Sequence, residues 1–322
     1  MKNSIKLSAL FFSLLFATAI FAQDFPTKPI KIIVPFPPGG ATDTISRAVA
    51  ERLQAVLNKP VIVENKAGAS GNIGVAEVVR SAPDGYTLVM GAAQTLTINH
   101  QLFDKMGFTP QKDLAPIVVV ASVPNVLVVA NRLPAKNLQE LIALAKANPG
   151  KFSSGSSSTG GTPHLTLEMF KTVTGTSIVH VPYKGSAPAL QDLAGGQIEM
   201  MFDNLPAALP LISGGRVRPI GVTSLKRTAS APDIPTLDEM GLKGFETQGW
   251  FGLLAPAETP FAILEKLNVE VNKMIQSPEF RERLVKAGAD PVGGSIDDFR
   301  QRLKAETDRW GRVIKEANVK AE

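Results

Sequence analysis

The chain has no cysteine in its 322 residues. That excludes disulfide staples, thiolate zinc sites, iron–sulfur clusters, a cysteine nucleophile and a lipid-modified cysteine. Histidine is scarce, with 3 residues, too few for a histidine-rich metal centre. Aromatic residues (16 Phe, 2 Trp, 2 Tyr) form no pattern on which bases would stack. The 34 basic and 29 acidic residues leave a net charge of +5, and no run of Lys and Arg forms a nucleic-acid face. What is present, 44% apolar residues, suits a packed globular protein rather than a disordered one. The length fits two domains at roughly 100–200 residues each.

One apolar run is long. Leu7–Ala22 follows Lys2 and Lys6 and ends in Ala-Ile-Phe-Ala, and charge returns at Asp24 and Lys28. A positive start, a short apolar stretch and a small terminal residue define a secretory signal peptide. At 16 residues the run falls short of the about 20 that a membrane span needs, which disfavours an uncleaved anchor. Cleavage is expected after Ala22, leaving 32 basic and 29 acidic residues, and the expected compartment is the periplasm.

Beyond the leader the chain alternates short β-rich runs with helical periodicity. Ile30–Pro35, Val61–Glu64 and Tyr86–Gly91 read as strands, with helices between them. Ile45, Val49, Leu53, Val56 and Leu57 share one helical face. This alternation predicts a parallel sheet flanked by helices. Ile117–Ser122 and Val126–Ala130 read as two strands parted by a proline. The pattern then restarts, with an Asn137/Glu140 capping spacing and strands at Lys151–Ser154, Ile178–Pro182, Ile198–Phe202 and Ile220–Ser224. Trp250–Ala255 is a last strand, and three helices follow it. The reading is two α/β lobes: residues 23–122 plus 246–322, and an insertion at 123–245. Two chain crossings between the lobes make a hinge around a cleft.

Four loops at strand ends carry candidate chemistry. Pro35-Phe36-Pro37-Pro38-Gly39-Gly40-Ala41-Thr42-Asp43 opens the first helix. Ligands of parallel sheets sit at such edges, and free amides at a helix start attract anions. The spacing is neither a dinucleotide fingerprint nor a phosphate loop. Asp43 either caps its own helix or meets a ligand amine or hydroxyl. Ser153–Thr162 holds seven hydroxyl side chains in ten positions, with Thr162 as expected N-cap and Pro163 as first helical residue. No G-x-S-x-G elbow accompanies them, so hydrogen-bonding recognition is favoured over a serine nucleophile. His180-Val-Pro-Tyr183-Lys184-Gly185-Ser186 offers an aromatic wall, a hydroxyl and a cation. Phe202-Asp203-Asn204 ends a strand, and Asp203 either holds a ligand or caps the next helix. His164 and Glu168 lie one turn apart, but no third metal ligand accompanies them.

Taken together these segments resemble a known family. Thr27–Asp43, Val63-Glu-Asn-Lys-Ala-Gly-Ala-Ser-Gly71, Pro83-Asp-Gly-Tyr-Thr-Leu88, His180–Ser186, Gly195-Gly-Gln-Ile-Glu199 and Trp250–Pro256 are similar, in order, to the signatures of the Bug receptors. These are the TctC-type solute-binding proteins of tripartite tricarboxylate transport. The resemblance spans essentially the whole mature chain. It implies a two-lobed, type II-like Venus-flytrap binding protein, each lobe a mainly parallel sheet flanked by helices. It also implies that one loop of each lobe grips a small organic carboxylate through backbone groups and waters. By motif, the grip maps to Phe36, Gly39, Gly40, Ala41, Thr42 and Asp43, and to Tyr183, Lys184, Gly185 and Ser186. Ser156, Ser158, Gly160, Thr162 and His164 of the serine-rich stretch, together with Asp203, match cleft positions. Gln94 and Thr95 fall where many members carry small hydroxyl residues, so Gln94 is expected to alter ligand choice.

The expectation is therefore a monomeric periplasmic receptor without a cofactor or metal. Its partners would be a small carboxylate and a membrane permease, and it would bind no nucleic acid. A periplasmic hydrolase or isomerase using His164 or Asp203, and a ligand sensor for a membrane kinase, are the alternatives.

Overall fold

The organising element is a single long strand. The computed structural model describes residues 25–103, 106–316 and 319–320; the expected leader and its cleavage point lie outside them. In the first third, β1 (Ile30–Val34), α1 (Ala41–Leu57), β2 (Val61–Asn65), α2 (Asn72–Val79) and β3 (Thr87–Ala92) follow the expected alternation. Two short helices, α3 (Asn99–Leu102) and α4 (Pro110–Asp113), lead into β4 (Leu114–Ala130). The middle of the chain forms α5 (Leu138–Ala147), β5 (Phe152–Ser156), α6 (Thr162–Thr174), β6 (Ile178–Pro182) and α7 (Ser186–Ala194). It continues with β7 (Met200–Asn204), α8 (Leu205–Ser213) and β8 (Val217–Val222). The chain closes with β9 (Gln248–Pro256), α9 (Phe261–Gln276), α10 (Pro278–Lys286), the short β10 (Asp290–Pro291) and α11 (Ile296–Glu316).

The strands form one continuous path, β2-β1-β3-β9-β4-β7-β5-β6, with β8 and β10 also pairing to β4. β1 pairs in parallel with β2 and β3, and β5 in parallel with β6 and β7. These are the strands linked by helical crossovers, which parallel pairing requires. β4 and β9 pair antiparallel with each other and with their neighbours, so the sheet is mixed.

β4 replaces the two strands expected on either side of a proline. Leu114–Pro124 pairs with β9, and Asn125–Ala130 pairs with β7 and β8. Pro124 sits where β4 exchanges partners, and a proline without N–H is tolerated where the ladder is interrupted. Its near-continuous apolar sequence fits a strand buried on both faces.

Helices cover both faces of each half. In the first half, α1, α9 and α10 pack on one face around Ile32, Ile45, Leu267 and Phe280, while α2 and α11 pack on the other around Val75, Val89 and Phe299. In the second, α5 and α6 cover one face around Leu141, Phe170 and Phe202, and α7 and α8 cover the other around Leu190, Met201 and Leu205. Asn137 caps α5 as its spacing predicts: its Oδ1 accepts from the Glu140 amide at 2.9 Å, and Glu140 accepts from the Lys136 amide at 2.8 Å.

Candidate functional site

The first loop leaves β1 at Pro35 and enters α1 through Gly39 and Gly40. Gly39 has φ +85°, a conformation glycine adopts freely. Gly40 occupies the cap position of α1 and has no side chain to offer its first amides. Asp43 turns inward. It accepts from Gly39 N at 3.0 Å, from Arg47 Nε at 3.1 Å and from Asn65 Nδ2 at 3.0 Å. Asn65, at the end of β2, also donates to the Phe36 carbonyl at 3.0 Å. Burial pulls the Asp43 carboxyl upward, but the bonds from Arg47, Gly39 and Asn65 outweigh it and hold it below the usual range. Asp43 therefore staples its own turn, and the ligand-facing alternative for it is not the arrangement observed.

The second loop follows β6. Tyr183 and Gly185 amides donate to the carbonyls of Ser156 and Ser157, each at 2.9 Å, which ties the loop to the end of β5. Gly185, at φ +115°, caps α7 without a side chain. A Cβ there would lie 3.4 Å from Pro37 Cγ, so the two loops meet across the cleft. Tyr183 does not present its hydroxyl to the cleft: the hydroxyl donates to Asp192 Oδ2 at 2.8 Å, and burial with that acidic partner pushes it up to about 12. Ser186, the first residue of α7, donates to Asp203 Oδ1 at 3.0 Å.

The serine-rich stretch splits in two. Ser153–Ser156 belong to β5, and only the turn after them is a loop. Gly161 caps α6, one residue before the expected Thr162; a Cβ on Gly161 would press to 2.9 Å from Ser158 Oγ and 3.2 Å from Gln94 Oε1. Gln94 is spent across the cleft: Ser158 Oγ donates to its Oε1 at 2.9 Å, and its Nε2 donates to the Thr159 carbonyl at 3.1 Å. Thr95 bonds the Ala92 backbone instead of facing a ligand.

Beneath this loop His164 and His180 stack face to face, with centroids 3.8 Å apart. Gly160 N donates to His164 Nδ1 at 3.0 Å, and His164 Nε2 lies 3.7 Å from Glu168. Ser156 Oγ lies 2.6 Å from His180 Nε2 and 3.1 Å from the Ser158 carbonyl. Whether Ser156 or His180 gives the proton between them depends on the His180 tautomer. Burial pushes His164 down to about 4 and His180 down to about 3.

A cleft with a cavity of about 70 Å³ lies between these loops, with room for several water molecules. Of the residues singled out from sequence, Phe36, Gly40, Ala41, Thr42, Gln94, Thr162, Lys184, Gly185 and Ser186 line it. Gly39, Asp43, Thr95, Ser156, Ser158, Gly160, His164, Tyr183 and Asp203 do not line it; they shape or support its walls. Pro37, Ser157, Pro163 and Asn204 line it from within the candidate loops without having been named as ligand contacts, and Gly249, Trp250 and Phe251 line it from outside them. Among the described residues, Asn204 Oδ1 and Trp250 Nε1 are buried polar atoms without a partner.

Four helices, α1, α6, α7 and α8, begin at the cleft, and none has a side-chain cap. Away from the cleft, Asn137 and Ser277 cap α5 and α10 with their side chains, while α2 and α9 are also without a side-chain cap, so the distinguishing feature is that four such starts meet at one place. Free amides and positive helix ends thus converge on one space, an arrangement that suits an anion.

Two α/β halves facing each other across such a cleft define the class of periplasmic binding proteins. Within that class, the chain belongs to the family described as the tripartite tricarboxylate transporter family receptor, which it matches over residues 45–319. R. palustris Rpa4515 with adipate is similar at 40% identity and a TM-score of 0.90, covering 92% of this chain and 99% of that one. The periplasmic binding protein BugD is similar at 34% identity and a TM-score of 0.86, covering 92% of this chain and 100% of that one. MatC from Rhodopseudomonas palustris with bound malate is similar at 30% identity and a TM-score of 0.84, covering 90% and 100%. No described helix is long and apolar enough to cross a membrane.

Proposed function

We propose that the protein is a periplasmic receptor that captures a small organic carboxylate between two lobes and presents it to a membrane permease of the tripartite tricarboxylate type. The observation that carries this reading is the convergence of uncapped helix starts on the cleft. A carboxylate offers up to four acceptor sites, and the starts of α1 and α7 supply donors from opposite sides. Each helix end contributes typically 0.3–1 kcal/mol toward an anion, about 2 in favourable geometry. The adipate and malate bound in two similar structures support the same chemical class.

In this reading the lobes are residues 23–122 plus 246–322 and residues 123–245, and they close about the two passages at β4 and the entry to β9. Ligand contacts favour closure only in so far as they are better in the closed state. Residues 1–22 export the chain, and cleavage follows Ala22. The protein acts as a monomer and performs no chemistry on its ligand. Support for this last point is membership of a transporter receptor family.

Thermal unfolding of the mature chain against a panel of carboxylates tests the reading. A ligand at 100 times its dissociation constant adds about 2.7 kcal/mol and raises the midpoint. Adipate and malate are the first probes. A midpoint unmoved by every acid, in protein shown by mass spectrometry to carry no ligand, overturns it.

A further inference from the structure

We propose that Asp203 makes ligand capture proton-linked: as the cleft takes up a carboxylate anion, the buried Asp203 carboxyl takes up one proton. This rests on the receptor reading above and adds a second, ionic cargo to it.

Asp203 lies in β7 opposite Val126 of β4 and is wholly buried. Its Oδ1 accepts from Ser186 Oγ at 3.0 Å and from Asn204 N at 2.9 Å. Its Oδ2 is buried with no partner among the described residues. Both Ser186 and Asn204 line the cleft, one as the first residue of α7 and the other as the cap of α8. The carboxyl thus sits one side chain behind the wall where an anion would be held.

No cation answers it. Among the described residues Asp203 makes no ion pair. β4 faces it with apolar and amide side chains, and α8 contains no ionisable residue. The one ionisable group of α7, Asp192, accepts from Tyr183. Asp43, across the cleft, is paired with Arg47 at 2.9 Å. The two stacked histidines are bonded to Gly160 and Ser156. Lys184, two residues before Ser186, is exposed at the cleft, Arg216 is exposed, and Arg218 of β8 donates to the Leu133 and Ala135 carbonyls.

A buried carboxylate without a cation is penalised in its charged form, and two hydrogen bonds recover only part of the loss. Burial accordingly pushes Asp203 up to about 7. A second negative charge brought to Ser186 and Asn204 favours the neutral form further. The proton then gives Oδ2 a donor and removes the repulsion between wall and ligand.

Titration calorimetry of the mature protein with adipate, and in parallel with malate, tests this. Measurements run from pH 6 to pH 9 in buffers of different ionisation enthalpy. Both acids are fully ionised above pH 7 and mostly so at pH 6, and His164 and His180, pushed down to about 4 and about 3, do not titrate there. The expected result is a constant affinity below pH 7, a loss approaching tenfold per pH unit above it, and uptake approaching one proton. Asp203→Asn keeps an acceptor for Ser186 and Asn204 but cannot titrate. It is expected to bind with a flat pH profile and no proton uptake, which a purely structural role would not produce. An unchanged dissociation constant from pH 6 to 9 without proton uptake in the wild type overturns the proposal and leaves the receptor intact. A slope that persists in Asp203→Asn overturns it as well. Failure of both acids to bind at any pH sinks the receptor reading, and the proton linkage with it. Should the variant not fold, the wild-type proton count alone decides.

Discussion

Each wall of the cleft keeps an aspartate close behind a helix start, and the two are held in opposite ways. Asp43 has a guanidinium, an amide side chain and a backbone N–H around it, and stays ionised. Asp203 has a hydroxyl and one backbone N–H, no cation, and a bare second oxygen. The same side chain is therefore a fixed charge on one wall and a titratable group on the other. What differs is the supporting shell. Asn65 and Arg47 reach Asp43 from β2 and α1, whereas Asp203 is enclosed by apolar β4 and by an α8 without charge.

The comparison can be broken most forcefully on the charged side. Asp43→Ala leaves Gly39 N, Asn65 and Arg47 without their acceptor and should cost about 2–3 kcal/mol, read as a lower unfolding midpoint. Next, Gly185→Val forces a side chain into φ +115° facing Pro37. Strain of about 1–3 kcal/mol is expected there, seen as roughly a tenfold to hundredfold loss of adipate affinity with the fold retained by circular dichroism.

Stability against pH separates the two aspartates. Asp203 is raised in the folded state, so the folded chain binds more protons than the unfolded one between about pH 4 and 7. Its contribution is complete below pH 4 and is lost as pH rises through 7, at up to about 1.4 kcal/mol per unit. His164 and His180 are depressed and act in the reverse sense, losing stability as pH falls from 6.5 toward 4. Asp203→Asn should therefore unmask a histidine-driven loss on acidification, measured as unfolding midpoints at pH 4, 5, 6 and 7; a profile unchanged from wild type contradicts this. Gln94→Ala removes two cross-cleft bonds and should weaken adipate binding about tenfold, at about 1 kcal/mol net per bond. Arg47→Ala is the mildest. Its half-exposed ion pair is worth about 0.5 kcal/mol, and the variant sharpens the comparison by making Asp43 resemble Asp203.

The order of strands and helices was legible because each element carries its own period, and the glycine-rich loops were legible because glycine precedes a helix start. Partner exchange within a strand has no such signature. The apolar letters of 114–130 read alike whether Pro124 ends a strand or marks a change of neighbour. The direction of a polar side chain was equally hidden. Asp43 turns inward because Asn65 arrives from a strand 22 residues on, and Gln94 is consumed by a loop 64 residues away. Trp250 reaches the cleft only through the fold, since it sits in none of the candidate loops, whereas Asn204 was quoted beside Asp203 but not as a cleft residue.

The long strand carries a further consequence, for how the molecule comes apart. Val118 and Val120 belong to the core under α1 and α9, while Leu127 and Val129 belong to the core under α5 and α6. One run of backbone is thus a structural wall of both cores, and neither can be completed while that run is unpaired. Melting of either half should drag the other with it, so a calorimetric scan should show one peak whose van't Hoff and calorimetric enthalpies agree, where two halves tied by slack connectors would melt in two.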